Sequence, residues 1–102
     1  MQFASSSSSE GEEPVFTQTS CAKFDVRLIR EHSLWSHVLF NASRVAVDCV
    51  LDGTVDVRDK AVLEIGGGCG VVSLACFAQG ARLVCCNDFP DREITENIVF
   101  NF

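Results

Sequence analysis

The most regular arrangement of hydrophobic residues lies in the second half of the chain. A short apolar run, Ala61–Ile65, contains β-branched residues and predicts a buried strand. A glycine-rich turn over residues 66–70 follows, and the apolar segment Val71–Gln79 then predicts a helix that Gly80 ends. A second apolar run, Leu83–Cys86, predicts another strand. Strand, turn, helix and strand in this order form a βαβ unit, which predicts parallel strands in an α/β fold.

Two segments in front of this unit also show regular patterns. Phe24–Leu28 alternates apolar and polar residues, which is typical of a half-exposed strand. We expect it outside the parallel sheet, as a lid or as a strand of an N-terminal hairpin, and Val15–Thr19 is its candidate partner. Apolar residues at helical spacing predict a helix that ends near Leu51, where Asp52 and Gly53 follow. The stripe on this helix consists of Trp35, Val38, Leu39, Ala42, Val45, Ala46, Cys49 and Val50.

A third helix is predicted after the second strand of the βαβ unit. Asp91 follows Pro90, which cannot continue a strand, and aspartate is a favourable residue at the start of a helix. Ile94, Ile98 and Phe102 are spaced four residues apart, so they predict a stripe that faces the core.

By composition and pattern the chain divides into three parts. Residues 1–13 are rich in serine and glutamate, bury too little apolar surface to order themselves, and predict a disordered tail. Residues 14–57 hold the N-terminal strand and helix region. Residues 58–102 hold the βαβ unit and the helix after it, and they contain the candidate binding site.

Composition narrows the classes of partner. The net charge of −6 argues against a nucleic-acid partner, and no apolar run is long enough to span a membrane.

None of the six cysteines forms a Cys-x-x-Cys pair, so we expect reduced cysteines in a cytoplasmic protein and no metal site. Cys76, Cys85 and Cys86 lie in apolar runs and predict core positions. Cys69 lies in the glycine turn, either beside a ligand or as a residue small enough to fit there.

The glycine turn is the candidate binding site. In a βαβ unit a nucleotide-like ligand binds at the turn after the first strand, where the helix N-terminus offers N–H groups. Gly66, Gly68 and Gly70 alternate in this turn, and glycine both adopts positive φ and lets a ligand approach the backbone. Glu64 is a candidate for orienting the loop or an amino group of the ligand. Asp88, at the end of the second strand, is a candidate acceptor for both hydroxyls of a ribose.

The spacing of the glycines distinguishes between ligands. A dinucleotide fingerprint, Gly-x-Gly-x-x-Gly, needs its third glycine at position 71, which is Val71. A P-loop needs a lysine, and the turn has none. The pattern Glu64-x-Gly66-x-Gly68-x-Gly70 instead resembles the first motif of class I S-adenosylmethionine-dependent methyltransferases. In that class the turn wraps the methionine part of the cofactor, and the acid after the next strand holds the ribose.

The similarity extends to a particular family. The stretches Leu34–Ala42, Val62–Gly66 and Asn87–Asp91 resemble methyltransferase family 16. Within it they are most similar to the nicotinamide N-methyltransferase-like branch, regarded as methylating the N-terminus and a nearby lysine of translation elongation factor alpha. The resemblance implies a protein N-methyltransferase that uses S-adenosyl-L-methionine, with Trp35 helping to enclose the cofactor. The implied cofactor-binding residues are Trp35, Glu64, Gly66, Gly68, Gly70 and Asp88.

The resemblance covers residues 24–102 of this chain but only the front half of the family's domain. In the family, the acid that contacts adenine and the segment that lines the methyl-transfer site come later in the sequence. We therefore expect a truncated Rossmann-like class I methyltransferase fold, incomplete at its C-terminus and without catalytic residues. Two other interpretations stay open. One is a catalytically inactive fragment that acts as an interaction module through an open sheet edge, and the other is a different Rossmann-type nucleotide-binding enzyme.

Overall fold

The computed structural model describes residues 15–29 and 39–102. The tail predicted over residues 1–13 and the predicted cofactor residue Trp35 therefore lie outside the described residues. Within them the chain forms four strands and three helices. In order they are β1 (Phe16–Cys21), β2 (Phe24–Ile29), α1 (Asn41–Leu51), β3 (Ala61–Ile65), α2 (Val71–Ala78), β4 (Leu83–Asn87) and α3 (Arg92–Asn101).

Strands β3 and β4 form a parallel pair joined by helix α2, which confirms the predicted βαβ unit. The register places Ile65 beside Asn87, so the carboxyl ends of the two strands lie side by side. Helix α2 ends at the predicted glycine, because Gly80 adopts a left-handed φ of 93°. The N–H of Gly80 donates to the carbonyl of Phe77 at 3.1 Å and so satisfies one of the last carbonyls of the helix.

Strands β1 and β2 form a separate antiparallel hairpin, as their alternating pattern predicts. Cys21 pairs with Phe24 across a tight turn in which Ala22 adopts a φ of 53°. Val26 and Leu28 are buried on one face of β2. The hairpin therefore contributes one apolar face to the core while it remains outside the parallel sheet.

Helix α1 is shorter than predicted and buries a partly different face. Val50 of the predicted stripe is buried, and Trp35 and Val38 of that stripe lie outside the described residues. The helix begins at Asn41, because Phe40 before it is extended with φ −70° and ψ 152°. Val47 is fully buried, although the predicted stripe omits it, and Val45, which the stripe includes, is 60% exposed. The predicted stripe is wrong at these positions because contact with helix α2 decides which face is buried, and that face carries Val47 and Val50.

Helix α3 begins with the predicted cap. The Asp91 carboxylate accepts hydrogen bonds from two N–H groups in the first turn of the helix. Ile94 is buried as predicted, but Phe102 is 54% exposed, so the predicted stripe does not continue inward at Phe102. Asn97 is buried instead, because the helix packs against strand β2 and Arg27 on that strand supplies polar partners.

The core lies between the hairpin, helix α1, helix α2 and the glycine turn. Apolar side chains from all four meet there, and helices α1 and α2 pack against each other. The buried cluster consists of Cys21, Val26, Leu28, Val47, Val50, Val57, Cys69, Val71, Ala75 and Cys76. One face of the β3–β4 pair also contacts this cluster through Val62 and Val84.

The opposite face of the β3–β4 pair is uncovered in the described part of the chain. Leu63, Ile65 and Leu83 on this face are between 60% and 76% exposed. Cys85 lies on the same face and is also exposed, so its predicted core position is wrong. The apolar runs predict strands correctly, but they do not show that only one face of each strand finds cover here.

Two kinds of feature are absent from residues 15–29 and 39–102. None of their helices combines the length and the apolar character that crossing a bilayer requires. They also contain no group of three or more His, Cys, Asp or Glu residues arranged to hold a metal ion.

The cap of helix α3 generates a first prediction. Replacing Asp91→Ala removes the acceptor for two N–H groups, and we expect the free energy of unfolding to fall by ~1 kcal/mol. Asp91→Asn keeps an oxygen at the cap and should recover most of this loss. Urea denaturation followed by circular dichroism measures both variants. Equal stabilities for Asp91→Ala and the wild type would contradict a stabilising role of the cap.

Candidate functional site

The glycine turn is fixed to the end of the neighbouring strand by its own backbone. The N–H groups of Gly66 and Gly67 both donate to the carbonyl oxygen of Asn87, at 2.8 and 2.9 Å. Gly66 and Gly68 have φ values of 73° and 62°, a conformation that favours glycine. Among residues 15–29 and 39–102, a Cβ atom at either position would meet nothing within 4 Å. The turn is therefore bonded on its inner side and open above these two glycines.

Gly67 is the glycine that the repeating pattern leaves unexplained. Its φ is not positive, so backbone freedom is not the reason for glycine here. A Cβ atom at this position would instead collide with the sulfur of Cys86 and lie 3.3 Å from Glu64 Oε1. Gly67 is thus required by close packing against strand β4. The only signal in the sequence is its place between Gly66 and Gly68.

Asp88 lies across the turn at the carboxyl end of β4. Its Oδ2 accepts a hydrogen bond from the N–H of Gly68 at 2.7 Å, and its Oδ1 accepts one from the N–H of Phe89 at 2.6 Å. A carboxylate has about four lone-pair sites, so both oxygens keep the capacity to accept a further donor. Asp88 therefore shapes the turn and also presents acceptor sites beside it.

Glu64 joins the first strand to the start of helix α2. Its Oε1 accepts hydrogen bonds from the N–H of Ser73 at 3.1 Å and from the Ser73 hydroxyl at 2.6 Å. The thiol of Cys86 also lies 3.7 Å from this oxygen. Ser73 is fully buried, and its N–H belongs to the first turn of the helix, where the helix itself supplies no acceptor. Glu64 therefore orients the loop, one of the two roles that the sequence suggests for it.

Gly70 begins helix α2 in a left-handed conformation with φ 88°. Its N–H donates to the carbonyl of Gly67 at 2.9 Å, and its own carbonyl accepts from the N–H of Leu74 at 2.9 Å. A Cβ atom on Gly70 would lie 3.1 Å from the ring of Phe102 and 3.5 Å from Ile98. Helix α3 therefore packs directly behind the start of α2.

The cysteines around the turn are directed into the protein. Cys69 is buried in the core. Of the two roles suggested for it, neighbour of a ligand or residue small enough to fit the turn, the structure supports the second. Burial raises the pKa of its thiol, and the N–H of Val71 opposes this. Burial also raises the pKa of Cys86 to about 11, and the nearby carboxylates of Glu64 and Asp88 add to the effect, whereas Ser73 opposes it. Both sulfurs are thiols at neutral pH and face the interior.

The structure brings five of the six predicted site residues into one turn and its two flanking strand ends, and the sixth, Trp35, lies outside the described residues. The five are Glu64, Gly66, Gly68, Gly70 and Asp88. Ser73 and Asn101 also shape the turn, but the sequence pattern does not assign them to it, and it places Gly67 in the turn without a role. Their contribution depends on tertiary contacts that the spacing along the chain does not reveal.

A glycine turn and acidic residues at the carboxyl ends of adjacent parallel strands are typical of α/β proteins that bind nucleotide-like ligands. This arrangement defines the class of site. Comparison with known proteins shows which proteins the chain is similar to. No model of a protein family matches the chain.

Individual curated proteins are similar to most of the chain. It is 38% identical over 79 residues to the protein N-terminal and lysine N-methyltransferase EFM7 of Yarrowia lipolytica, covering 76% of this chain and 29% of that protein. The enzyme of the same name from Debaryomyces hansenii is 38% identical over 87 residues, covering 83% of this chain and 34% of its own length. The enzyme of the same name from Schizosaccharomyces pombe is 36% identical over 76 residues, which cover 74% of this chain and 30% of that protein.

These matches confirm the resemblance to protein N-terminal and lysine N-methyltransferases that the sequence motifs indicate. The chain spans only about a third of the length of the curated relatives it matches. The similarity therefore concerns the part of those proteins that corresponds to the segment present here.

The contact between Gly67 and Cys86 generates a second prediction. Gly67→Ala should lower the free energy of unfolding by about 1–3 kcal/mol, because the new methyl group collides with the Cys86 sulfur. Adding Cys86→Ala removes that sulfur, so the double variant should lose less than the sum of the two single variants. Urea denaturation of all four proteins measures this coupling.

Gly68→Ala is the matched control for this cycle. Its cost comes from the positive φ and not from a neighbouring atom, so Cys86→Ala should leave that cost unchanged. Additive effects of Gly67→Ala and Cys86→Ala would contradict the proposed collision.

The two adjacent cysteines of β4 generate a third prediction. At pH 8 a thiol with a pKa of about 11 is ionised in about one molecule in a thousand, and Cys86 also points towards α2. Cys85 is exposed. We expect iodoacetamide to label Cys85 at least about tenfold faster than Cys86, measured by fragment-ion mass spectrometry. The difference should disappear in 8 M urea, and equal rates in the native protein would contradict the assigned orientation.

Proposed function

We propose that the glycine turn binds S-adenosyl-L-methionine and that the chain supplies the cofactor-binding part of a protein N-methyltransferase. The observation that carries this proposal is the hydrogen bond from the N–H of Gly68 to Asp88. It holds a carboxylate at the carboxyl ends of β3 and β4, beside the open side of the turn. Ligands of open α/β sheets bind at this edge, and a carboxylate after the second strand suits ribose hydroxyls.

The chemistry of the turn also fits this cofactor. S-adenosyl-L-methionine carries a sulfonium and an ammonium group, and it supplies an electrophilic methyl group to a nucleophile. The carboxylates of Glu64 and Asp88 give the turn a negative charge that favours both cations. The space above Gly66 and Gly68 lets a ligand approach the backbone. We propose Glu64, Gly66, Gly68, Gly70 and Asp88 as the cofactor-binding residues, and Trp35 as a further one.

The proposed acceptor is a protein amine. The relatives from Yarrowia lipolytica and Debaryomyces hansenii are named as protein N-terminal and lysine N-methyltransferases. By this similarity the methyl group would pass to a lysine or to an N-terminal amine. The motif resemblance, and not the names of these relatives, is the ground on which we propose translation elongation factor alpha as the substrate protein. Such a transfer depends mainly on holding the amine in line with the methyl–sulfur bond, which is catalysis by proximity and orientation. Because this partner acts in translation, we also propose a cytoplasmic location.

The uncovered face of the β3–β4 pair supports a Rossmann-like domain larger than the described elements. Leu63, Ile65 and Leu83 are exposed apolar residues on strands that each have one neighbour among the described strands. Parallel strands are normally covered on both faces and paired on both sides. We propose that residues 58–102 form the first part of such a domain, with residues 14–57 as its N-terminal strand and helix region.

The same face favours a second candidate function. A chain without further strands would expose this surface permanently, and exposed strand edges pair readily with other chains. In that case the protein would be a catalytically inactive interaction module.

The experiment that tests the proposed function is calorimetric titration of the chain with S-adenosyl-L-methionine, alongside Asp88→Asn. This substitution removes a negative charge at nearly constant size, so we expect affinity to fall by about tenfold or more. The matched control is Asp56→Asn. Asp56 also accepts a hydrogen bond from a nearby backbone N–H, that of Arg58, but it lies away from the turn. It should leave the affinity unchanged.

The outcomes separate the two candidate functions. Saturable binding that weakens in Asp88→Asn and not in Asp56→Asn supports the cofactor site. No binding by a chain that circular dichroism shows to be folded contradicts it and favours the interaction module. Binding of NAD in preference to S-adenosyl-L-methionine would favour another nucleotide-binding enzyme.

A further inference from the structure

Two asparagines one turn apart on helix α3 bind the same residue of strand β2. Asn97 Oδ1 accepts from Arg27 Nε at 2.6 Å, and Asn101 Oδ1 accepts from the Arg27 backbone N–H at 2.8 Å. The side-chain amides of both asparagines donate to the Arg27 carbonyl, at 2.8 and 2.9 Å. Each asparagine therefore makes two hydrogen bonds to Arg27.

Arg27 is itself held in place. Its guanidinium carbon lies 3.7 Å from the ring centres of both Phe16 and Phe100, so the planar group is stacked between two aromatic rings. One ring comes from the hairpin and the other from helix α3. The Arg27 backbone is therefore a firm support for the two asparagine side chains.

Asn101 makes one contact that Asn97 does not. Its amide nitrogen also donates to the carbonyl oxygen of Cys69, in the middle of the glycine turn, at 2.9 Å. The peptide unit that carries this carbonyl ends in the N–H of Gly70, which donates to the carbonyl of Gly67 at 2.9 Å. The Cys69–Gly70 peptide is therefore held at both ends, by Asn101 on one side and by the turn itself on the other.

This peptide determines where helix α2 begins. Gly70 precedes the helix with φ 88°. Because glycine has no Cβ, sterics restrain the Cys69–Gly70 peptide only weakly, and the hydrogen bonds of its two polar groups fix its orientation. The N–H groups of the first helical turn point out of the helix from this position. Their direction therefore depends on the orientation of the Cys69–Gly70 peptide, and so on Asn101.

We propose that Asn101 is a positioning residue for the cofactor turn, which it holds in the binding geometry by fixing the Cys69 carbonyl. This inference rests on the proposed function of the turn as the S-adenosyl-L-methionine site. Asn101 acts from behind the turn, through the backbone. Its side chain thereby connects the hairpin, helix α3 and the proposed ligand site.

Asn97 provides a matched control for the test. Asn97→Ala and Asn101→Ala each remove two hydrogen bonds to Arg27, and only Asn101→Ala also removes the bond to Cys69. Asn97 is almost fully buried, whereas Asn101 is partly exposed. If these substitutions weakened binding only by destabilising the fold, Asn97→Ala would therefore weaken it at least as much as Asn101→Ala. Asn101→Asp is a third variant, which keeps the size of the side chain and the acceptor for Arg27 N–H but loses both donors.

Two measurements are made on the 102-residue chain and its variants. Calorimetry gives the dissociation constant for S-adenosyl-L-methionine. Hydrogen exchange by NMR gives the protection of the Gly70 amide, compared with the Leu74 amide inside helix α2, which donates to the Gly70 carbonyl. The Gly70 amide belongs to the peptide that Asn101 holds, so its exchange reports the order of the turn even without ligand.

We expect Asn101→Ala and Asn101→Asp to weaken binding about fivefold more than Asn97→Ala, the factor that one net hydrogen bond contributes. We also expect a similar loss of Gly70 protection relative to Leu74 in the two Asn101 variants alone. Equal or larger effects in Asn97→Ala would overturn the inference.

The design separates this inference from the proposed function. If the wild-type chain binds no S-adenosyl-L-methionine, the proposed function fails, whereas Gly70 exchange still tests the link between Asn101 and the turn. If the Asn101 variants do not fold, the wild type provides the test through its own side chain. The proton of the Asn101 side-chain amide that bonds the Cys69 carbonyl should then exchange as slowly as the backbone amide proton of Gly70. Exchange at the rate of a free side-chain amide would overturn the inference.

Discussion

The part of the structure around the glycine turn depends on one carboxylate oxygen. Glu64 Oε1 belongs to the end of β3, bonds the N–H and hydroxyl of Ser73 at the start of α2, and lies beside the Cys86 thiol of β4. Glu64 is partly buried, and hydrogen-bond donors compensate for the water that its carboxylate loses; here the helix N-terminus supplies them. Because this oxygen joins all three elements of the βαβ unit, the glycines between them can form an open turn without losing their position.

The N-terminal hairpin and the βαβ unit do not share a sheet, but the apolar core joins them and polar contacts add a second connection. The connection runs through α3, whose asparagines bind Arg27 on one side and the Cys69 carbonyl on the other. Buried amides restrict geometry more than apolar contacts do, because each must meet its partners at a defined distance and angle. The hairpin is therefore a structural support for the turn as well as a cover for the core.

The sequence predicts the features that arise from local interactions. The βαβ unit, the hairpin, the glycine end of α2 and the Asp91 cap all follow from short-range patterns and are found in the structure. Features that depend on which elements meet are not predicted. Examples are the buried face of α1 around Val47, the exposed face around Leu63, and the fit of Gly67 against Cys86. The site residues can be grouped from the sequence because the carboxyl ends of parallel strands lie side by side. The role of Asn101 cannot, because it depends on a contact with Cys69, which is distant in the sequence.

The stacking of Arg27 between Phe16 and Phe100 has a consequence for the order in which the protein folds during synthesis. The hairpin leaves the ribosome early, but its aromatic and asparagine partners on α3 exist only after residue 101 has been added. Until then its buried face can form no more than a part of its final contacts. Contacts between residues so far apart in the chain form slowly, so the bonds between Arg27 and helix α3 should form late in folding.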